Sequence, residues 1–283
     1  MNAKPEIPAT FRSVVRVVRG SATSDGAGVR LMRLIGTEGL SELDPFLLLD
    51  QFGSDSAADY IAGFPEHPHR GFETVTYMLE GRMRHRDNQG NEGLLVSGSV
   101  QWMTAGRGIL HSEMPEQEAG RMSGFQLWVN LPAARKMTAP RYQDIPPEQI
   151  PTITPAPGVK VRVVAGQIGA TSGPIQGIAT APLFLDVALE ASKHFEVQLP
   201  AGHTAFVCVF EGSLNVAATT LNAGELGVLS AGNALTLESA GGGRAIIDAA
   251  QPLGEPVARY GPFVMNTRAE IIQAIEDFNA GRF

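Results

Sequence analysis

A chain of 283 residues, with 43% hydrophobic and 18% charged residues, is long enough to bury two cores of ordinary size. Its formal net charge of −7 argues against general binding to nucleic acid or an anionic membrane, because counterion release needs a positive surface. The single cysteine, Cys208, excludes an internal disulfide, so the fold gains nothing from an oxidising compartment.

The N-terminal "MNAKPEIPATFRSVV" has no apolar h-region and does not read as a secretory signal. No later run approaches the ~18 apolar residues of a membrane helix, and the expected location is cytoplasmic. Short β-branched and aromatic runs follow one another: "SVVRVVR", "ETVTYML", "GLLVSG", "GFQLWVNL", "VKVRVVAGQI", "LFLDVAL", "TAFVCVFEG" and "RAIIDAA". Gly and Pro stand between them, and no helical pattern follows each run. That spacing predicts an all-β sandwich or barrel rather than a parallel α/β sheet. Cys208, inside "AFVCVFEG", reads as a small buried core residue.

The proline-rich stretch 140–158, "PRYQDIPPEQIPTITPAPG", cannot be a central strand. It reads as an extended linker or an ordered crossover between two β units, at 1–140 and 141–283. The two halves resemble each other. Glu80-Gly81 and Ala105-Gly106 in the first match Glu211-Gly212 and Ala231-Gly232 in the second, which suggests duplication of a whole β domain. At the C-terminus, Thr267 and Glu270 have capping-box spacing. Ile271, Ile272, Ile275 and Phe278 predict the apolar stripe of one helix, with Gly281 as its stop.

The chemistry concentrates in "EHPHRGFETVTYMLEGRMRHRD" (66–87) and "GRGILHSEMP" (106–115). On a strand, residues i and i+2 share a face. His67 and His69 therefore point one way, and Pro68 holds the backbone at His67 extended. His111 and Glu113 repeat the spacing. If the two strands lie opposite one another in a barrel, three imidazoles and a carboxylate converge, a set suited to a divalent first-row metal. The duplicated half places Gln198, Pro200 and Leu237 at the positions of His67, His69 and His111, so the site is expected only in the first half.

Glu73, four residues beyond His69, is a competing carboxylate, with a structural role as the preferred reading. Arg82, Arg84 and Arg86 alternate opposite His85 and read as a solvated strand face, with a phosphate or partner patch as the alternative. His194 and His203 have no ligand-type neighbours.

These segments resemble the pirin family of the cupin superfamily. The resemblance runs through "DPFLLLDQFG", "HPHRGFETVTYMLEGRMRHRDNQGN", "VQWMTAGRGILHSEMP", "GFQLWVNLPAARKMTAPRYQ" and the tail "YGPFVMNTRAEIIQAIEDFNAGRF". It implies two cupin-type (double-stranded β-helix, jelly-roll) barrels, 1–140 with metal and 141–283 without, plus the C-terminal helix. The implied ligands are His67, His69, His111 and Glu113. The implied metal is one divalent ion, Fe(II), with Mn, Ni, Co or Zn as substitutes.

The resemblance further implies a quercetin 2,3-dioxygenase-type enzyme that opens a flavonol ring with O₂ and releases carbon monoxide. Glu113 would then act as the base toward the flavonol 3-hydroxyl. Phe72, Met78, Trp102, Met103 and Phe125 are the expected candidates for an apolar wall. The alternative implied by the family is a non-enzymatic, iron- or redox-responsive regulator that binds a transcription factor or a metabolic enzyme. Either way a monomer is expected, with no direct nucleic-acid or membrane partner.

Overall fold

The computed structural model describes residues 8–283, so the opening stretch read for a secretory signal lies, through residue 7, outside the described residues. Two compact units divide the chain. One comprises Gly20–Ile150, Pro174–Ala181 and Leu253–Phe283. The other comprises the described residues up to Arg19, Pro151–Gly173 and Pro182–Pro252. This grouping by contacts interleaves along the chain, where the expected division is a single boundary between 140 and 141. The physical reason is strand pairing. β1 (Val14–Arg19) hydrogen-bonds antiparallel to Glu225–Leu229, whereas the C-terminal segment pairs with the first half, Phe263 bridging to Arg70.

The histidine-bearing unit is built from β2 (Ser21–Asp25), β3 (Val29–Ile35), β4 (Phe46–Ser54), β5 (Phe64–His69), β6 (Phe72–Glu80), β7 (Arg82–Asp87), β8 (Glu92–Val96), β9 (Val100–Thr104), β10 (Ile109–Pro115), β11 (Met122–Asn130) and β12 (Arg141–Ile145). Seven of these form one sheet in the order β12-β9-β6-β11-β4-β3-β2, and four form another in the order β5-β10-β7-β8. The expected all-β architecture with one C-terminal helix is present.

The proline-rich stretch is ordered rather than a linker. Arg141–Ile145 and Thr152–Ala156 are both strands, and each lies at the edge of its sheet. Edges are where proline's missing donor is tolerated.

The second unit fills its interior with Phe195, Val197, Leu235 and Leu237 among other apolar side chains. Leu237 pairs with Phe195 and Leu235 with Val197, as His111 pairs with His67 and Ile109 with His69, so Phe195 and Val197, rather than Gln198 and Pro200, stand at the register positions of the two histidines. Cys208 is fully buried, as expected. Among the described residues the one cluster of metal-ligand type is in the first unit.

The helix α1 (Arg268–Asn279) starts on the expected capping box, in which the Glu270 amide donates to the Thr267 hydroxyl and the Thr267 amide to the Glu270 carboxylate. Its apolar stripe is corrected by one residue. Ile271 and Ala274 are buried, Ile275 and Phe278 are partly covered, and Ile272 is 49% exposed. Helical geometry turns each residue about 100° from the last, so 271, 274, 275 and 278 share a face and 272 does not.

The C-terminal segment locks the turn between β5 and β6. Arg70 is buried and donates to the Asp277 carboxylate at 2.7 Å, and the Phe283 ring covers its guanidinium at 4.3 Å. Next to it, Gly71 (φ +90°) has no room for a side chain, since a Cβ would stand 1.9 Å from the Val264 carbonyl oxygen. Buried Lys136 closes the arrangement, donating to the Gly71 and Val264 carbonyls and to the Asn130 side-chain oxygen at 2.7–2.9 Å. Burial pulls its pKa down to about 8.

Gly71→Ala should therefore be far more damaging than Gly90→Ala. Gly90 has a similar φ of +88°, but a Cβ there meets nothing within 4 Å. We expect Gly90→Ala to cost about 1–2 kcal/mol from backbone conformation alone. Gly71→Ala should cost at least twice as much in urea unfolding, or prevent accumulation of folded protein. Equal losses would contradict the packing argument.

Candidate metal centre

β5 and β10 are hydrogen-bonded neighbours, not strands facing each other across a barrel. Their antiparallel register sets His111 directly against His67 and Ile109 against His69. Adjacency explains why three imidazoles meet: two come from alternate positions of one strand and the third from the residue paired with the first. The ring centroids lie 4.5–5.0 Å apart, and one ligand nitrogen from each of the three can be chosen so that all lie within 4.8 Å of one another.

The nitrogens are arranged as ligands rather than as core hydrogen-bonding groups. His67 Nδ1 lies 2.8 Å from the Pro65 carbonyl, which requires it to carry the proton and leaves the Nε2 lone pair free. That Nε2 is 3.0 Å from His69 Nε2. Two nitrogens each about 2.1 Å from a common ion at a right angle stand about 3 Å apart. Both nitrogens of His111 are buried without a hydrogen-bond partner, which is costly unless something else occupies them. Burial, and then the neighbouring imidazoles, hold the pKa values of His69 and His111 well below the usual histidine range. Neutral imidazoles are the ligating form. The residues present thus fit a divalent metal held by His67, His69 and His111.

Glu113 stands in the same cavity and is buried. Its two oxygens accept hydrogen bonds from the Thr76 hydroxyl (2.7 Å) and the Gln126 amide (2.9 Å). It is not part of the three-histidine cluster, and the pairing with β5 shifts register between His111 and Glu113.

Glu73 is not on the histidine strand, because the Arg70-Gly71 turn separates β5 from β6. It sits on the opposite face of β6 from Thr76 by strand parity, where it accepts a hydrogen bond from the Thr104 hydroxyl at 2.7 Å. Burial raises its pKa. The preferred structural reading of Glu73 agrees with this position.

The cavity beside the histidines measures about 620 Å³. Its apolar lining comes from Leu31, Leu48, Phe52, Phe64 and Trp128, and none of the five expected wall residues is among them. Parity turns Trp102 and Phe125 to the other face of the sheet. Met78 and Met103 point inward but pack in separate clusters. Phe72 stands behind His69, ring to ring at 5.1 Å, and next to Trp128 at 4.4 Å. The same parity that removes Phe125 selects Gln126 and Trp128, so the sequence held that signal. Arg259, which also lines the cavity, comes from a distant hairpin and had none.

A polar row crosses the interior of the large sheet. Successive strand pairings set Arg33 against Asp50, Asp50 against Gln126, Gln126 against Thr76, Thr76 against Gln101 and Gln101 against Asp144. Asp50 accepts two hydrogen bonds from Arg33 at 2.7–2.8 Å. Asp144 accepts from Gln101 at 3.0 Å and lies 2.8 Å from His85 Nε2. His85 is accordingly buried, stacked on Tyr142. The arginines of its strand face the other way, as alternation predicts, and pair with Glu92 and Glu116. Two carboxylates shared among three arginines offset most of the charge of the strip.

His111→Ala should lower metal affinity by at least about 100-fold, measured by metal content after dialysis; unchanged content would refute the centre. A second expectation concerns acid. Below a pH of about 6.5 the unfolded chain protonates its histidines while folded His69 and His111 resist, so the unfolded state binds more protons and stability falls as pH falls. Metal-free His111→Leu lacks part of that liability. Its stability relative to the metal-free parent should rise as pH is lowered from about 7.5 to about 5.5. Parallel pH responses in urea titrations would contradict the argument.

Two family models match the chain: pirin over residues 28–129 and the pirin C-terminal cupin domain over residues 184–283. A pirin-like protein of Caulobacter vibrioides is 52% identical, covering 96% of this chain and 99% of that relative. A Pseudomonas aeruginosa protein named as a candidate quercetin 2,3-dioxygenase is 51% identical, covering 96% and 98%. The crystal structure of a quercetin 2,3-dioxygenase from Acinetobacter baumannii superposes with a TM-score of 0.91 at 35% identity, covering 97% and 99%. Among the described residues no helix is long and apolar enough to cross a membrane. With its histidine cluster in the first of two cupin-like domains, and with this similarity over nearly its whole length, the chain belongs to the pirin family.

Proposed function

We propose that the protein is a metal-dependent dioxygenase that opens the ring of a flavonol-type substrate, the reaction named for its Acinetobacter relative. The observation that carries this reading is a cluster of three imidazoles, His67, His69 and His111, two of which, His67 and His69, open with the Glu113 carboxylate onto an aromatic-lined cavity of about 620 Å³. That volume lies within the range of sites for small organic ligands. His67, His69 and His111 would hold the ion, with Fe(II) as the native metal and Glu113 as a fourth ligand or close neighbour. A divalent ion there supplies Lewis acidity and a template for O₂ and the flavonol oxygens.

The remaining work belongs to the chain. Glu113 accepts the proton of the flavonol 3-hydroxyl on a carboxylate oxygen. Thr76 and Gln126 fix the orientation of that carboxylate through the two hydrogen bonds it accepts. Phe52, Phe64, Leu31 and Leu48 exclude water from the ring. Trp128 offers an aromatic surface beside His69, and Phe72 buttresses both rings, 4.4 Å from Trp128.

Aerobic incubation of Fe(II)-loaded protein with quercetin should bleach the flavonol absorbance. No turnover with Fe, Mn, Ni or Co in turn would end the dioxygenase reading. Glu113→Gln should lower kcat by about 100-fold or more, with metal content measured alongside to separate proton transfer from ion loss. Full activity in that variant would remove Glu113 as the base.

A further inference from the structure

The cavity is lined by two arginines, and their situations differ. Arg33 is committed to the protein: its guanidinium donates to both oxygens of Asp50 and to Asp25. Arg259 has no carboxylate within ion-pair distance among the described residues. It makes one hydrogen bond there, from Nη1 to the Leu47 carbonyl at 3.2 Å. A guanidinium carries five N–H donors, so most of this fork, on an exposed residue that lines the cavity, has no protein partner among the described residues.

Arg259 is nonetheless held in place. Its strand, Ala258–Tyr260, pairs with Phe263–Met265, with Arg259 opposite Val264. Its guanidinium lies 4.9 Å from the centroid of Trp128, a cation–π distance. Trp128 in turn lies 5.2 Å from His69, so the cation is within roughly 10 Å of the metal-site imidazole, within reach of an aromatic molecule of two or three rings. Partial burial, and then the neighbouring Arg33 charge, lower its pKa, against the weaker pull of the Asp50, Glu42 and Asp25 carboxylates. An anion placed against it would relieve both effects.

We propose that Arg259 is a specificity-determining residue that anchors a carboxylate on an aromatic substrate, so that the cavity selects aromatic acids over their neutral analogues. The planar fork matches a carboxylate in two parallel hydrogen bonds, and the ring of such a ligand lies along Trp128 and the apolar wall. The inference rests on the reading of this cavity as the substrate site. It does not require that the substrate be a flavonol.

The test compares 2-naphthoate with 2-naphthamide, two probes of equal shape that differ in charge. Binding to the Zn(II)-loaded full-length chain is followed by calorimetry and tryptophan fluorescence. The expected result is at least a tenfold preference for the acid in the parent. It should be lost in Arg259→Gln and partly kept in Arg259→Lys, with melting temperatures showing that both variants are folded. A carboxylate that binds through the ion instead would keep its preference in Arg259→Gln, and that result overturns the proposal. Equal binding of the two probes by the parent, or no binding of 2-naphthoate up to about 1 mM, overturns it too. Neutral 3-hydroxyflavone serves as a third probe. If it fails to bind while the naphthoate preference holds, the flavonol reading falls and the anchor stands. If it binds without any naphthoate preference, only the anchor falls.

Discussion

The structure turns on three imidazoles brought into contact, two of them, His69 and His111, buried where water cannot serve them. His69 and His111 are 1–2% exposed, and Nδ1 of His69 and both nitrogens of His111 lack the partners that buried polar atoms ordinarily find. Such an arrangement disfavours the free protein, because desolvated donors and acceptors go unused. It persists because the backbone leaves the side chains no alternative. The pairing of His111 with His67 fixes two of the rings. The third is set by a turn whose glycine touches a carbonyl and whose neighbouring arginine is clamped by the C-terminal helix. Local strain and desolvation of this kind concentrate where function requires them.

The polar row across the large sheet shows how the rest of the interior serves the same end. A β-barrel interior is normally filled with apolar side chains, and the second unit follows that rule. In the first unit each of six adjacent strands contributes one polar or charged residue to a single row. Each is matched with a neighbour, so that Glu113 receives two donors and His85 an acceptor. Through the Thr76 and Gln126 donors the row orients the carboxylate beside the histidines. Above and below it, apolar rows form the walls of the cavity, two residues of strand register away from the polar row.

The sequence stated much of this in advance and missed the rest for identifiable reasons. The i,i+2 spacing at His67/His69 and His111/Glu113 was enough to select the histidines, because strand alternation is a local rule. The capping box at Thr267 and Glu270 was legible for the same reason. The apolar wall was misread because residues were chosen by size rather than parity. The same rule applied to "GFQLWVNL" would have exchanged Phe125 for Gln126 and Trp128. Glu73 seemed to share the histidine face only as long as β5 and β6 were taken as one strand.

Alternation, turn chemistry and capping are properties of a few consecutive residues, so the sequence by itself determined the β class, the duplicated halves, the terminal helix and the identity of the three imidazoles. Only the tertiary structure decided which strands became neighbours. It placed His111 beside His67 rather than across from it, returned the last thirty or so residues to the first unit, and brought Arg259 to a cavity whose other walls lie far away along the chain. Those outcomes depend on long-range register and on where desolvated groups find partners, and no window of adjacent residues contains that information.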